Sequence, residues 1–232
     1  MGKKTIWQLM LVMALGSTAI QPAHAALTGV KITEWMYNSV NATGEFVELT
    51  NFGPTAVNFT GWSYDDNTRV PGSQSLSALG TVNSGESVIL TELSAAAFRT
   101  AWNLSSSVKV LSYGNNNNLG RADEINIYNS SSALVDRLTY DDQTIGGIRT
   151  TGASGRPTTS SAIGNNNALL WSLATVGDSE GSYKSVGAGT SGDIGSPGKT
   201  AYVSAVPLPS SLVLLMSSVG LIPLLGKRRN QQ

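Results

Sequence analysis

Val30-Lys31-Ile32-Thr33-Glu34-Trp35-Met36-Tyr37-Asn38 and Gly44-Glu45-Phe46-Val47-Glu48-Leu49-Thr50-Asn51 are two runs of β-branched and aromatic residues joined by the short Ser39–Thr43 connection. Such side chains fit a pleated, half-buried surface, and Asn and Gly at the ends punctuate it. A period of two in the second run puts Glu48 with Phe46, and Glu45 with Val47 and Leu49. We read strands at Val30–Tyr37 and Glu45–Asn51. Working outward, the same composition marks Ala56–Tyr64, Ser87–Thr91, Val108–Tyr113, Glu124–Asn129 and Ala133–Tyr140. Alternation is clearest where Ile125 and Ile127 oppose Asn126 and Tyr128. Seven short strands with Gly, Asn, Ser and Pro between them predict an all-β sandwich.

One short helix interrupts the strands. Ser94 is a suitable N-cap, Ala95–Ala97 favour helix, and Phe98 and Trp102 fall one turn apart. After Asp142 the pattern gives way to Gly-, Ser- and Thr-rich sequence, and residues 143–167 read as a long loop, linker or lid. Only Ala168–Leu173 and Ser182–Val186 offer further packed elements. No fixed-period repeat is visible, which excludes solenoids and propellers.

The two ends read as addresses. Lys3 and Lys4 precede an apolar run from Ile6 to Ile20, and Ala23-His24-Ala25 follows. This order describes a secretory signal peptide over residues 1–25, cut after Ala25 by signal peptidase; a buried helix or uncleaved anchor is the alternative. Cleavage removes His24, the one histidine in 232 residues, from a chain with no cysteine. The remainder cannot run Ser-His-Asp or Cys-His catalysis, or bind a metal through His or Cys. At the other end, residues 201–209 form a linker carrying Pro207-Leu208-Pro209. An uncharged stretch, 210–226, is about 25 Å long as a helix, against a ~30 Å hydrocarbon core. A basic tail, 227–232, follows, and Lys227, Arg228 and Arg229 favour the cytoplasmic side. A core helix ending in three cations is the other reading.

A Pro-containing motif, one short apolar helix and a terminal Arg cluster resemble the PEP-CTERM sorting tail of Gram-negative bacteria. Pro-Leu-Pro stands here in place of the usual Pro-Glu-Pro. The resemblance implies processing by an exosortase-type membrane enzyme, through an inner-membrane intermediate, to the cell surface or extracellular matrix. Without both ends, 10 cations face 15 anions, a net of −5 in a chain that is only 13% charged. Bulk charge therefore gives no reason to expect nucleic acid as a partner.

The landmarks of residues 26–200 carry a second resemblance. The two opening runs are followed by Val57-Asn58-Phe59-Thr60-Gly61-Trp62 and by Ser84-Gly85-Glu86-Ser87-Val88-Ile89-Leu90. Asp123–Tyr128, Val135–Tyr140 and a closing Ser196-Pro197-Gly198 complete the series. In this order they resemble the lamin-tail domain over about residues 27–200. The resemblance implies an immunoglobulin-like β-sandwich with no catalytic residues to carry over.

Several residues are candidates for chemistry. Glu45 and Glu48 would be the acid and base of a glycosidase, which needs two carboxyls across a cleft. Residues three apart in a strand point to opposite faces, so the plainer reading keeps Glu48 hydrogen-bonded and Glu45 at the surface. Asp65, Asp66, Asp141 and Asp142, at strand ends, are candidate Ca²⁺ ligands, with Asp123-Glu124 a third acidic pair; such residues also make turns through their own side chains. Trp35, Trp62, Trp102 and Trp171 would stack on sugars if exposed, and otherwise pack the core. Arg121, Arg149 and Arg156 would meet phosphate or acidic sugars, or stay solvated. The expectation is an exported, non-enzymatic structural or adhesive protein, with extracellular polysaccharide as partner. A carboxylate-dependent carbohydrate-active enzyme or carbohydrate-binding module is the alternative.

Overall fold

The computed structural model describes residues 27–186 and 192–203. In chain order the strands are β1 (Val30–Met36), β2 (Phe46–Asn51), β3 (Val57–Asn58), β4 (Ser63–Asp65), β5 (Gln74–Ser75), β6 (Thr81–Val82) and β7 (Ser87–Thr91). Helix α1 (Ala95–Ala101) separates these from β8 (Lys109–Ser112), β9 (Ala122–Tyr128), β10 (Leu134–Asp141), β11 (Gly155–Pro157), β12 (Trp171–Leu173), β13 (Tyr183–Lys184) and β14 (Ile194–Gly195). One sheet has six strands in the order β12-β11-β1-β2-β7-β8, and a second has four, β10-β9-β4-β5. The pairs β3-β6 and β13-β14 are small ribbons.

The sheets pack face to face. Ile32, Trp35, Val47, Leu49, Val88 and Leu90 of the large sheet meet Tyr64, Ile125, Ile127, Leu138 and Tyr140 of the small one. Trp35 lies on Tyr140 with ring centroids 3.9 Å apart. The outer face of the large sheet is covered too. Met36, Phe46 and Ile89 pack under α1 with Phe98 and Trp102, whose rings meet Phe46 edge-on at 5.5 and 5.6 Å. Ser94 caps α1 by accepting the Ala97 N–H at 3.2 Å. The helix also carries the chain from β7 to the parallel β8, a connection that a hairpin cannot make.

A bulge in β1 decides which side chains face where. Ile32 lies opposite Leu49 but Glu34 opposite Glu48, leaving Thr33 as the extra residue. A bulge shifts the alternation by one. Ile32 and Trp35 therefore both reach the inner core, while Thr33, Glu34 and Met36 serve the outer face.

Three expectations need correction. Ala56–Tyr64 is not one strand. Asn58 Oδ1 accepts the Thr60 N–H at 2.9 Å, Gly61 takes φ +77°, and the chain divides into β3 and β4 in different sheets. The 143–167 segment is more than a loop, because it supplies β11. Gly155 sits opposite Trp35, where an added Cβ would stand 2.9 Å from Trp35 Nε1 and 2.7 Å from Ile148 Cδ1; glycine lets the strands close without displacing either side chain. Glu45 is 5% exposed rather than a surface group. Among the described residues no helix is long and apolar enough to cross a membrane. The signal peptide at 1–25, the Pro207-Leu208-Pro209 motif, the 210–226 helix and the basic tail lie outside the described residues.

Candidate functional site

Antiparallel pairing of β4, β9 and β10 gathers three acidic pairs at one end of the small sheet: Asp65-Asp66, Asp123-Glu124 and Asp141-Asp142. A depression of about 300 Å³ opens there, lined by Asn67, Arg69, Ala122, Asp123, Glu124, Thr139, Tyr140, Asp141 and Ile145. Its central feature is a clamp. Arg69 donates through Nε to Glu124 Oε2 at 2.7 Å and through a terminal nitrogen to Oε1 at 2.5 Å. Thr139 and Asn126 add bonds at 2.9 and 3.2 Å. The Arg69 hydrogen bonds, ahead of every other influence, hold the Glu124 carboxyl down at about 2.

The other acids of this end are turned into their own turns. Asp65 accepts from the Thr68 hydroxyl at 2.8 and 3.0 Å and from the Val70 N–H at 3.0 Å. Asp141 accepts the Gln143 and Thr144 N–H groups at 2.7 and 3.1 Å. Among the described residues the Asp66 carboxylate accepts only the Thr68 N–H, at 3.4 Å. Asp142 pairs with Arg121 at 2.5 Å, and Arg149 stands 3.9 Å away. Asp123 accepts the Gly120 and Glu124 N–H groups at 2.6 and 2.8 Å. Calcium needs six or more convergent oxygens. Among the described residues no three acidic or imidazole side chains converge on a point fit for a metal, so the four aspartates share a sheet end without forming a cage.

Arg156, unlike Arg121 and Arg149, lies apart and pairs with Asp178 at 2.7 Å. Trp35, Trp102 and Trp171 are buried; Trp62 is half-buried and stacks on Phe59 at 4.6 Å. None of the four forms an open platform for a sugar ring.

The acids with the most disturbed affinity for protons lie elsewhere. Glu45 Oε1 accepts the Tyr113 hydroxyl at 2.7 Å and the Leu119 N–H at 3.0 Å, and burial pushes its carboxyl up to about 7. Glu48 is fully buried, accepting from the Thr33 hydroxyl at 2.6 Å and the Gly198 N–H at 2.7 Å. Burial, then the Glu34 charge, raises it well above the usual range. Glu34 accepts from the Ser154 hydroxyl and from the Ser196 N–H at 2.8 Å, and burial lifts it to about 7. Sequence reasoning missed Glu34, because plain alternation gives no sign of the Thr33 bulge. The one available signal was an acid inside Val30–Met36.

A family model described as the Lamin Tail Domain matches residues 23–142, over half of the chain and ending at the residue after β10. The match is shorter than the 27–200 span of the resemblance, so Ser196-Pro197-Gly198 lies beyond it. No curated protein matches the chain.

Proposed function

The chain belongs to the Lamin Tail Domain family, and from that premise we propose a non-catalytic, immunoglobulin-like binding and structural module displayed outside the cell. Export would use residues 1–25, and sorting would use Pro207-Leu208-Pro209, the 210–226 stretch and Lys227, Arg228 and Arg229. An exosortase-type enzyme would process that tail in a Gram-negative envelope. The partner would be extracellular polysaccharide, held through hydroxyl and amide side chains.

The observation that supports a non-catalytic role is the Arg69–Glu124 clamp. A general acid must hold a proton near the working pH. In the open depression Glu124 is instead held ionised at about 2. The carboxyls raised to about 7, Glu34 and Glu45, are buried and already hydrogen-bonded. A glycosidase would need both kinds free to face one cleft; Asp123, which burial raises beside Glu124, has its carboxylate turned to the Gly120 and Glu124 N–H groups.

The test is incubation of the purified chain with neutral and acidic polysaccharides, with co-sedimentation and reducing ends measured together. Retention without reducing ends is the expected result. Released reducing ends that disappear in Glu124→Gln or Asp123→Asn would establish the hydrolase reading instead. Intact mass of protein taken from the native host tests sorting. Mature chain lacking both 1–25 and the tail is expected, and soluble extracellular protein that keeps 210–226 refutes it.

A further inference from the structure

Glu34 and Glu48 stand directly opposite each other in the β1–β2 register, exposed by 2% and 0%. The strap formed by residues 194–203 crosses the outer sheet face above them. It is fastened by the acids themselves: the Ser196 N–H and hydroxyl reach Glu34 at 2.8 and 3.3 Å, and the Gly198 N–H reaches Glu48 at 2.7 Å. A third buried carboxylate, Glu180, accepts the Ala201 N–H at 2.6 Å, and its Oε1 has no partner among the described residues. Beneath the strap, hydrogen bonds link Glu48 to Thr33, Thr33 to Thr50 and Thr50 to Ser87.

Among the described residues no cation bonds to either acid. From the 178–183 turn the pair faces Glu180 and Tyr183; from 154 it faces a serine, from the residue after α1 the Trp102 ring, and from β2 and β7 the Thr50 and Ser87 hydroxyls and Ile89, which carry no charge. Lys199, the strap's cation, lies against Gly181 instead. Two ionised carboxylates opposed in this way repel strongly where water is excluded, and retaining one proton relieves the repulsion.

We propose that the Glu34–Glu48 pair is a proton-operated latch: it holds the 194–203 strap on the sheet while it keeps a proton and releases the strap when both carboxyls ionise. Opening uncovers the sheet face beside Trp102 and frees the chain that leads to the C-terminus. The latch is independent of what the module binds.

Hydrogen exchange of the full-length chain, followed by mass spectrometry from pH 5 to 8.5, tests it. Rates in 194–203 are corrected with an unstructured peptide of the same sequence. Strap protection is expected to fall about tenfold per pH unit, the slope for one proton released, and to level off once the pair is ionised; β9 and β10 stay protected. Glu48→Gln keeps an acceptor for Gly198 but cannot ionise, so its strap protection becomes flat with pH; Glu34→Gln gives the same result from the opposite strand. Infrared difference spectra of the Glu45→Gln chain, which lacks the other carboxyl raised to about 7, supply a readout that leaves the latch residues intact: at pH 7 it shows a protonated carboxyl band, which its alkaline spectrum loses. Flat wild-type protection, an unchanged slope in a folded variant, or absence of the acid band overturns the latch.

Discussion

Replacing Glu45 by Gln should stabilise this domain at alkaline pH and leave it nearly unchanged in mild acid. Glu45 rises from 4.5 to about 7 on folding because burial disfavours its charge. A carboxyl so raised holds its proton more tightly when folded. Its stabilising share is complete below pH 4.5, declines as pH rises, and is lost above 7. The full difference is about 3 kcal/mol, and partial access of water to the carboxyl brings it to about 2 kcal/mol. The introduced amide would keep the Tyr113 hydroxyl and Leu119 N–H on its carbonyl oxygen, and its NH₂ would face the Glu92 and Asp123 charges that now crowd Glu45. Urea unfolding followed by tryptophan fluorescence at pH 5 and pH 8 measures the effect. At pH 8 the variant's midpoint should rise by about 1 M, given a slope of roughly 2 kcal/mol per molar. Wild type itself should be less stable at pH 8 than at pH 5. Acids lowered by folding, such as Glu124, Asp178 and Asp193, act in the other window: their contribution is present above about pH 4 and is lost below it. Wild type that gains stability from pH 5 to 8, or a variant equally weakened at both, would refute this reasoning.

Two further outcomes follow from the packing and the carboxylates. Gly155→Ala should cost about 1–3 kcal/mol in chemical unfolding, since its Cβ meets Trp35 and Ile148 inside 3 Å; hydrogen exchange should locate the loss in β11 and β12. Millimolar Ca²⁺ or chelator should leave the thermal midpoint unmoved, because Asp65, Asp141 and Asp142 are already engaged; a concentration-dependent rise would expose a site.

The parts of the fold that show in the sequence are those set by near neighbours. Ile125 and Ile127 alternate with polar residues and do face the core. Ser94, the alanines, Phe98 and Trp102 specify α1 with its cap and buried face. What escaped is set at a distance or by poor strand formers. Gly155-Arg156-Pro157 lacks every compositional mark of a strand, yet completes the large sheet beside β1. Strands of two residues, β3, β5 and β6, are too short for periodicity to reveal. The acidic pairs at the strand ends were visible, but their clamp was not, because Arg69 lies 55 residues from Glu124. That Glu48 is hydrogen-bonded was legible, but its partner Gly198 lies 150 residues away, and nothing near Glu48 names it.

Strand β1 is among the first parts of the domain to emerge during synthesis, yet its second neighbour, β11, arrives only 120 residues later, where Ser154 also reaches Glu34. Until then one of its edges is bare, an invitation to intermolecular pairing. The nascent domain therefore runs a race between closing its own seam and joining another copy's. A chain ending at Asp142, where the family match stops, would never finish that race and should accumulate as aggregate.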